Sequence, residues 1–222
     1  MNGINGRGLL VAAAMWAVAA VVLVGCAPLP ASIASPQAPE AMRGIVVEAD
    51  PAELALTRLD MPAGFELAAE KGSDIEYVAL YLRPSALDTD ASGGNTLLSV
   101  MSSVGVYTTT VDAEQAFLLA ERDAAEAELE AEALVSRNAT DIVSAPFAGA
   151  AVGTDESEAL RVTYRLMDRT VVEYGHRFRL GNVLAHVVVA AIGNPNEPET
   201  LLGDARDLVQ RQIDHIVAAA SD

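Results

Sequence analysis

The chain contains few cysteines and few basic residues. It contains a single cysteine, Cys26, so no intramolecular disulfide can form and the fold must rest on a hydrophobic core. Basic residues are also scarce, with 14 Lys and Arg against 31 Asp and Glu and a net charge of −17. Such a surface is repelled by nucleic acid and by anionic lipid headgroups, which excludes a nucleic-acid partner.

The N-terminal residues 1–25 have the pattern of a signal peptide. An apolar run of about 16 residues, Leu9 to Val24, follows Arg7 and ends at Gly25, directly before Cys26. The segment Leu23-Val24-Gly25-Cys26 resembles the lipobox of bacterial lipoproteins, which implies cleavage before Cys26 and acylation of its thiol. The alternative is an uncleaved membrane helix, but the run is short against the roughly 20 residues that span a bilayer. We therefore expect a lipid anchor at Cys26, which holds the chain to a membrane of the cell envelope on its extracytoplasmic side.

Beyond the cysteine, the composition predicts a tether and one domain. Residues 26–47 are rich in Ala, Pro and Ser and predict a flexible, extended tether. Residues 48–222 are long enough for a single domain with its own core. Alternation of apolar and polar residues predicts strands, and apolar residues every three or four positions predict helices. The predicted elements follow a strand-strand-helix order that occurs twice. The predicted strands are Asp74–Arg83, Leu97–Thr109, Leu160–Met167, Val171–Leu180 and Val183–Gly193, and the predicted helices are Asp112–Ser136 and Glu199–Ala219.

The second half of the chain predicts how these elements are layered. Gly181-Asn182 fits a two-residue hairpin loop, and the strand that follows it is apolar on both faces, so Val187 and Val188 should both be buried. A doubly apolar strand indicates elements on both sides of the sheet. The expected fold class is α+β, an antiparallel sheet flanked by helices in an α/β/α sandwich. Asp112 with Gln115 suggests the start of the first helix, and Pro198 suits the first position of the last helix.

Three short segments carry a family resemblance: Leu59–Phe65, Gly153–Ser157 and Phe178–Val183. They look like elements that recur in bacterial extracytoplasmic lipoproteins of unknown function. The order of elements from about Leu54 to Ala219 is similar to the Mog1/PsbP-like α/β/α sandwich, whose members are mostly non-enzymatic accessory or binding proteins. The resemblance implies such a role here. It carries over no catalytic residues, and Thr154 interrupts the Gly-Asp-Glu-Ser pattern that would be expected.

Motifs of catalysis and metal binding are missing or incomplete. Asp88–Gly93 copies the opening of a calcium-binding loop, but Asn95 and Ser99 occupy the eighth and twelfth positions, so an exposed turn is expected. The three histidines His176, His186 and His215 have no spacing that predicts a ligand cluster or a nucleophile–base pair. No Gly-x-Ser-x-Gly elbow and no phosphate-binding glycine loop is present. The sequence therefore predicts no cofactor, no metal and no enzymatic activity, with a hydrolase as a minor alternative.

One group of basic residues suggests a binding site. Four arginines are assigned to the non-core face of the second-half strands, with Arg169 in a connecting turn: Arg161, Arg165, Arg177 and Arg179. They could form a site for an anion or an acidic partner. Alternatively, an acidic helix lies nearby and neutralises them, through Glu114, Glu121, Asp123, Glu126, Glu128, Glu130 and Glu132.

These patterns support two hypotheses about function. The first is a lipid-anchored, non-enzymatic accessory protein that binds an unidentified protein partner, for example as part of a membrane complex. The second is a small-molecule or lipid-binding lipoprotein with a pocket between sheet and helix. An enclosed apolar cavity would favour the second, and an open surface would favour the first.

Overall fold

The computed structural model describes residues 44–87, 96–122, 139–146, 153–166, 169–193 and 198–221. Within these ranges the chain forms one antiparallel sheet of seven strands, in the order β1-β2-β3-β7-β6-β5-β4. The strands are β1 (Glu66–Gly72), β2 (Glu76–Leu82), β3 (Thr96–Val106), β4 (Ala139–Pro146), β5 (Glu156–Leu166), β6 (Arg169–Leu180) and β7 (Val183–Ile192). The helices are α1 (Pro51–Leu54), α2 (Thr110–Arg122) and α3 (Pro198–Ala219), with a short 3-10 helix at Pro84–Leu87.

The two halves of the chain each contribute a contiguous block of the sheet. Strands β1 to β3 precede α2, strands β4 to β7 precede α3, and the blocks join where β3 pairs with β7. The α+β class and the antiparallel sheet with helices are confirmed. Each half holds more strands than the sequence predicts, three and four, because β1 and β4 were not foreseen.

The long helices lie on opposite faces of the sheet. Helix α3 packs over β6 and β7 on the face that carries Tyr174 and Val187, which we call the α3 face. Helix α2 also packs over β6 and β7, but on the other side, which we call the α2 face. Val187 is 0% exposed on the first face and Val188 is 2% exposed on the second. The prediction that both valines are buried is confirmed.

The larger core lies on the α3 face. The buried residues of α3 recur every three or four positions: Ala205, Leu208, Val209, Ile213 and Ile216. A chain of buried polar groups fixes α3 to the sheet and to the end of α1. Ser102 Oγ donates to Gln212 Oε1 over 2.8 Å, and Gln212 Nε2 donates to the carbonyl of Leu54 over 3.0 Å. These bonds satisfy buried polar groups that would otherwise destabilise the core.

The helix starts differ in one respect from the prediction. Pro198 is the first residue of α3, as its sequence position indicates. Helix α2 begins at Thr110, and its cap is Thr109, whose Oγ1 accepts a hydrogen bond from the backbone N–H of Asp112. The predicted cap at Asp112 is therefore wrong by one helical turn. Asp112 is instead the third residue of the helix, and its carboxylate accepts a bond from the Thr109 hydroxyl.

The β6–β7 hairpin binds the chain that enters the domain. Gly181 has a φ of +60° at the first central position of the loop. The side chain of Asn182 accepts a bond from the N–H of Val47 and donates to the carbonyls of Val47 and Tyr107, at 2.7, 3.0 and 2.7 Å. Val47, placed at the end of the predicted tether, is only 2% exposed. We call this set of contacts the Asn182 clamp.

Candidate functional site

The four arginines of the predicted site do not share a face. Leu166 at the end of β5 pairs with Arg169 at the start of β6. Every odd-numbered residue of β5 therefore pairs with an even-numbered residue of β6, and paired residues point to the same face of the sheet. Arg161 pairs with Tyr174 and Arg165 with Thr170, which places both on the α3 face. Their predicted place beside Arg177 and Arg179 is therefore wrong. Arg169, expected in a turn, is the first residue of β6.

Arg177 is part of the packing between the sheet and α2. Its guanidinium forms an ion pair with Glu158 on β5, N to O 2.5 Å, and lies 4.8 Å from the ring centroid of Phe117 on α2. The Arg177 side chain is only 7% exposed. His186 lies beside it on β7, in register. The Arg177 guanidinium, buried between a carboxylate and an aromatic ring, has its contacts within the protein and is closed to a partner.

Arg179 serves the β6–β7 hairpin. Its Nε contacts Glu156 at 2.7 Å, and its Nη1 contacts Asp155 at 3.2 Å and donates to the Gly181 carbonyl at 2.9 Å. Asp155 also accepts from the N–H of Gly181. The carboxylates that neutralise Arg177 and Arg179 thus come from β5 and the turn before it. On α2, Glu114 lies within the described helix, whereas Glu121 lies in a stretch whose side chains are not described and the acidic residues from Asp123 onward lie outside the described residues.

Part of the α3 face is left uncovered by α3. Helix α3 packs over β6 and β7, and the core on this face contains no residue of β4 or β5. We call the exposed surface of these two strands the arginine face. By register it consists of Thr140, Val143, Ala145, Ser157, Ala159, Arg161, Thr163 and Arg165. None of these residues is buried and none is acidic, on a chain with more than twice as many acidic as basic residues.

The arginines of this face are available for a ligand. Within the part of the chain that the structure describes, no ion pair or hydrogen bond engages the side chain of Arg161 or Arg165. They are four residues apart on one strand, or about 13 Å along it. A third cation, Arg206 on α3, acts electrostatically on His176, which lies on the same face of the neighbouring strand β6. The exposed strip beside α3 is therefore positively charged.

The buried histidines are separated by the sheet. His176 points to the α3 face and His186 to the α2 face, as predicted. Burial lowers the pKa of His176 to about 4, with a further contribution from Arg206. Burial, then Arg177 and His176, lower the pKa of His186 to about 3. Both imidazoles are neutral at pH 7. Among the described residues no group of His, Cys, Asp and Glu side chains could hold a metal ion.

One buried carboxyl was not identified from the sequence. Glu173 on β6 is 0% exposed, and its register neighbours on the α2 face are Val162 and Ala190. The hydroxyl of Tyr164 donates to its Oε1 over 2.6 Å, and its Oε2 has no partner within the described ranges. Burial raises the pKa of Glu173 to about 8, and the Tyr164 bond opposes this rise only partly. The sequence pattern of a strand shows that residue 173 points to one face of the sheet. It does not show that this face is covered, so the burial of Glu173 could not be predicted.

Several predictions fall outside the described residues: the signal peptide at residues 1–25, the lipobox at Cys26, most of the tether at residues 26–47, and the exposed turn at Asp88–Gly93. Of the helices in the described part, none combines the length and the apolar character needed to cross a bilayer.

Comparison with known proteins gives a likeness of fold. No family model matches the chain, and no curated protein matches it either. A point mutant of the protein Mog1 is similar in structure, with a TM-score of 0.31 and 16% identity over 72% of this chain and 86% of that one. The Ran-binding protein Mog1p of Saccharomyces cerevisiae has a TM-score of 0.29 and 16% identity over the same shares. Both similarities concern the fold alone.

Proposed function

We propose that this protein is a lipid-anchored, extracytoplasmic, non-enzymatic accessory protein that binds an acidic protein partner through the arginine face. The observation that carries the proposal is the placement of the half-buried Arg161 and the exposed Arg165, which have no acidic neighbour on their face and no ion pair in the described part of the chain.

The charge distribution supports an acidic partner. With a net charge of −17, the molecule as a whole repels anionic macromolecules. The arginine face is a local exception, so an acidic surface approaching the protein is steered toward it. Each guanidinium can bind a carboxylate through two parallel hydrogen bonds, which fixes the orientation of the partner as well as its position.

The shape of the site favours a protein over a small molecule. Small-molecule sites are concave and bury most of the ligand surface. The arginine face is an open surface of two strands at the end of a sheet, and no helix of the described residues packs over it. This geometry favours the first of the two functional hypotheses over a ligand pocket between sheet and helix.

Reversing both charges of the arginine face tests the proposal. The double variant Arg161→Glu/Arg165→Glu should weaken partner capture by roughly tenfold, because attraction becomes repulsion and about 1.4 kcal/mol corresponds to a factor of ten. The measurement is quantitative affinity purification from detergent-solubilised membranes with the intact anchor, at two salt concentrations. Wild-type capture should also fall as salt rises.

A matched control separates a local effect from a change in net charge. Arg58 and Lys71 are exposed cations that lie outside the arginine face, Lys71 being on β1 at the far edge of the sheet. The variant Arg58→Glu/Lys71→Glu changes the net charge by the same amount and should capture the partner normally. Equal capture by both double variants, with both folded by circular dichroism, would contradict the proposal.

The anchor is tested separately at Cys26. The Cys26→Ser variant should be released from membranes or accumulate as an uncleaved precursor, because the thiol that accepts the diacylglycerol is gone. Membrane fractionation and mass spectrometry of the N-terminus measure this. A wild-type chain with an intact Met1 terminus and an unmodified thiol would instead identify the apolar run as a membrane helix.

A further inference from the structure

The sheet ends at β4, and this edge is built differently from the opposite one. Strand β4 pairs with β5 on one side, and among the described residues no strand pairs with its other side. The opposite edge strand, β1, carries the charged residues Glu66, Glu70 and Lys71, which are typical of edges protected against further pairing. Strand β4 has one charged residue, Asp141, and an exposed apolar one, Val143. An edge strand of low charge presents backbone N–H and C=O groups for a further strand.

On β4, the residues that pair with the two arginines of β5 have small side chains. Ala145 is in register with Arg161, and Thr140 is in register with Arg165. Neighbouring strands are about 4.8 Å apart, and an extended arginine side chain is longer than that spacing. Because Ala145 and Thr140 are short, the guanidinium groups can extend across β4 to its free edge. Cations are therefore within reach of the position that an added strand would take.

Two features limit the regular pairing that this edge can offer. A bulge interrupts the pairing between Thr140 and Val143, and Asp141 within it has a φ of +55°. Pro146 ends the strand and has no N–H to donate. The regular part of the edge is therefore residues 143–145, beside Arg161, and pairing resumes beyond the bulge at Ala139 and Thr140, beside Arg165. An extended peptide that reaches both arginines must cross the bulge.

We propose that β4 accepts an extended acidic segment of the partner protein as an eighth strand, with two carboxylates of that segment on the α3 face paired to Arg161 and Arg165. This inference rests on the proposed function, since it specifies how the arginine face is used. Backbone hydrogen bonds to the edge would supply affinity, and the arginines would supply specificity. The arginines are four residues, or about 13 Å, apart along β5, so an added strand that runs straight past the bulge should carry its two carboxylates four residues apart.

Synthetic peptides test the spacing. The probe is an extended peptide of Thr and Val with two glutamates four residues apart, and its control has the same composition with the glutamates three residues apart. In a strand the first pair points to one face and the second to opposite faces. We expect the probe to bind at least about fivefold more tightly, by NMR titration of the full chain in detergent micelles, with shifts centred on β4. Absence of shifts in β4 at millimolar probe would overturn the inference.

Backbone methylation distinguishes strand addition from simple charge attraction. Two versions of the probe are N-methylated at alternate amides, so that one version blocks the amides that would face β4 and the other blocks those facing solvent. Strand addition predicts that only one version loses binding. If both bind like the unmethylated probe while Arg161→Glu/Arg165→Glu loses it, strand addition is wrong and the arginine face is supported. If the double variant binds the probe as the wild type does, the proposed function is contradicted as well.

Discussion

Replacing Gly181 with alanine is expected to destabilise the domain by about 3–5 kcal/mol. A Cβ at this position would lie 1.8 Å from the carbonyl oxygen of Ile45 and 2.7 Å from its carbonyl carbon. Both contacts are with backbone, so residues 44–47 must move away. Their displacement removes the bonds between Asn182 and Val47 and exposes the Val47 side chain, while the alanine is strained at a φ of +60°.

A second glycine with a positive φ separates the steric clash with Ile45 from the backbone strain of an alanine at positive φ. Gly153 has a φ of +90°, and a Cβ there would meet nothing within 4 Å. Gly153→Ala should therefore cost only the conformational strain, about 1–2 kcal/mol. Chemical denaturation measures both variants. Because Asn182→Ala removes the same clamp, it should add much less in the Gly181→Ala background than alone. Equal costs for the two glycine variants would show that the contact with Ile45 is not maintained in solution.

Replacing Glu173 with glutamine is expected to stabilise the protein above about pH 8 by on the order of a few kcal/mol. Burial raises the folded-state pKa of Glu173 from 4.5 to about 8. The unfolded state therefore ionises first, and the free energy of unfolding of the wild type falls as pH rises from about 4.5 through about 8. Glutamine keeps an oxygen for the Tyr164 hydroxyl and has no proton to lose. The fall should be absent from this part of its stability profile.

Denaturation curves between about pH 5 and about pH 9 measure the effect. The two proteins should be similar at the acidic end and should diverge as the wild type ionises. Glu66→Gln, at an exposed position of β1, should leave the profile close to that of the wild type. Tyr164→Phe removes the bond that lowers the pKa of Glu173, so it should steepen the alkaline loss. Parallel profiles for the wild type and the glutamine variant would contradict the buried, neutral state of Glu173.

The parts of the fold that were predicted best are those with a local signal in the sequence. The apolar residues on both faces around Val187 and Val188 indicate a strand that is buried on two sides. The pair Gly181-Asn182 indicates a tight hairpin turn. Both signals are local, so they can be read from one stretch of chain. The α+β class and the position of α3 followed from them.

The parts that were missed are those that depend on the edges of the sheet. Strands β1 and β4 are largely exposed, so their sequences show no alternation of apolar and polar residues. Arg161 and Arg165 were assigned to the wrong face because the relation between β5 and β6 is set by which residues pair across their connection. An assignment that is wrong by one residue moves Arg161 and Arg165 to the other side of the sheet. The candidate site therefore became visible only with the strand register.

The Asn182 clamp is also the first part of the domain that a pulling force on the N-terminal chain would break. A pull on the chain ahead of Gly44 reaches the sheet first through Ile45 and Val47, where they bond to the β6–β7 hairpin. These few hydrogen bonds contribute about 1 kcal/mol each, whereas β6 and β7 are held by complete ladders on both sides. Under load from an anchored terminus, the clamp opens first and lengthens the free chain by a few residues. If the proposed lipid anchor holds the N-terminus, the domain then moves further from the membrane while the sheet that carries the arginine face stays intact.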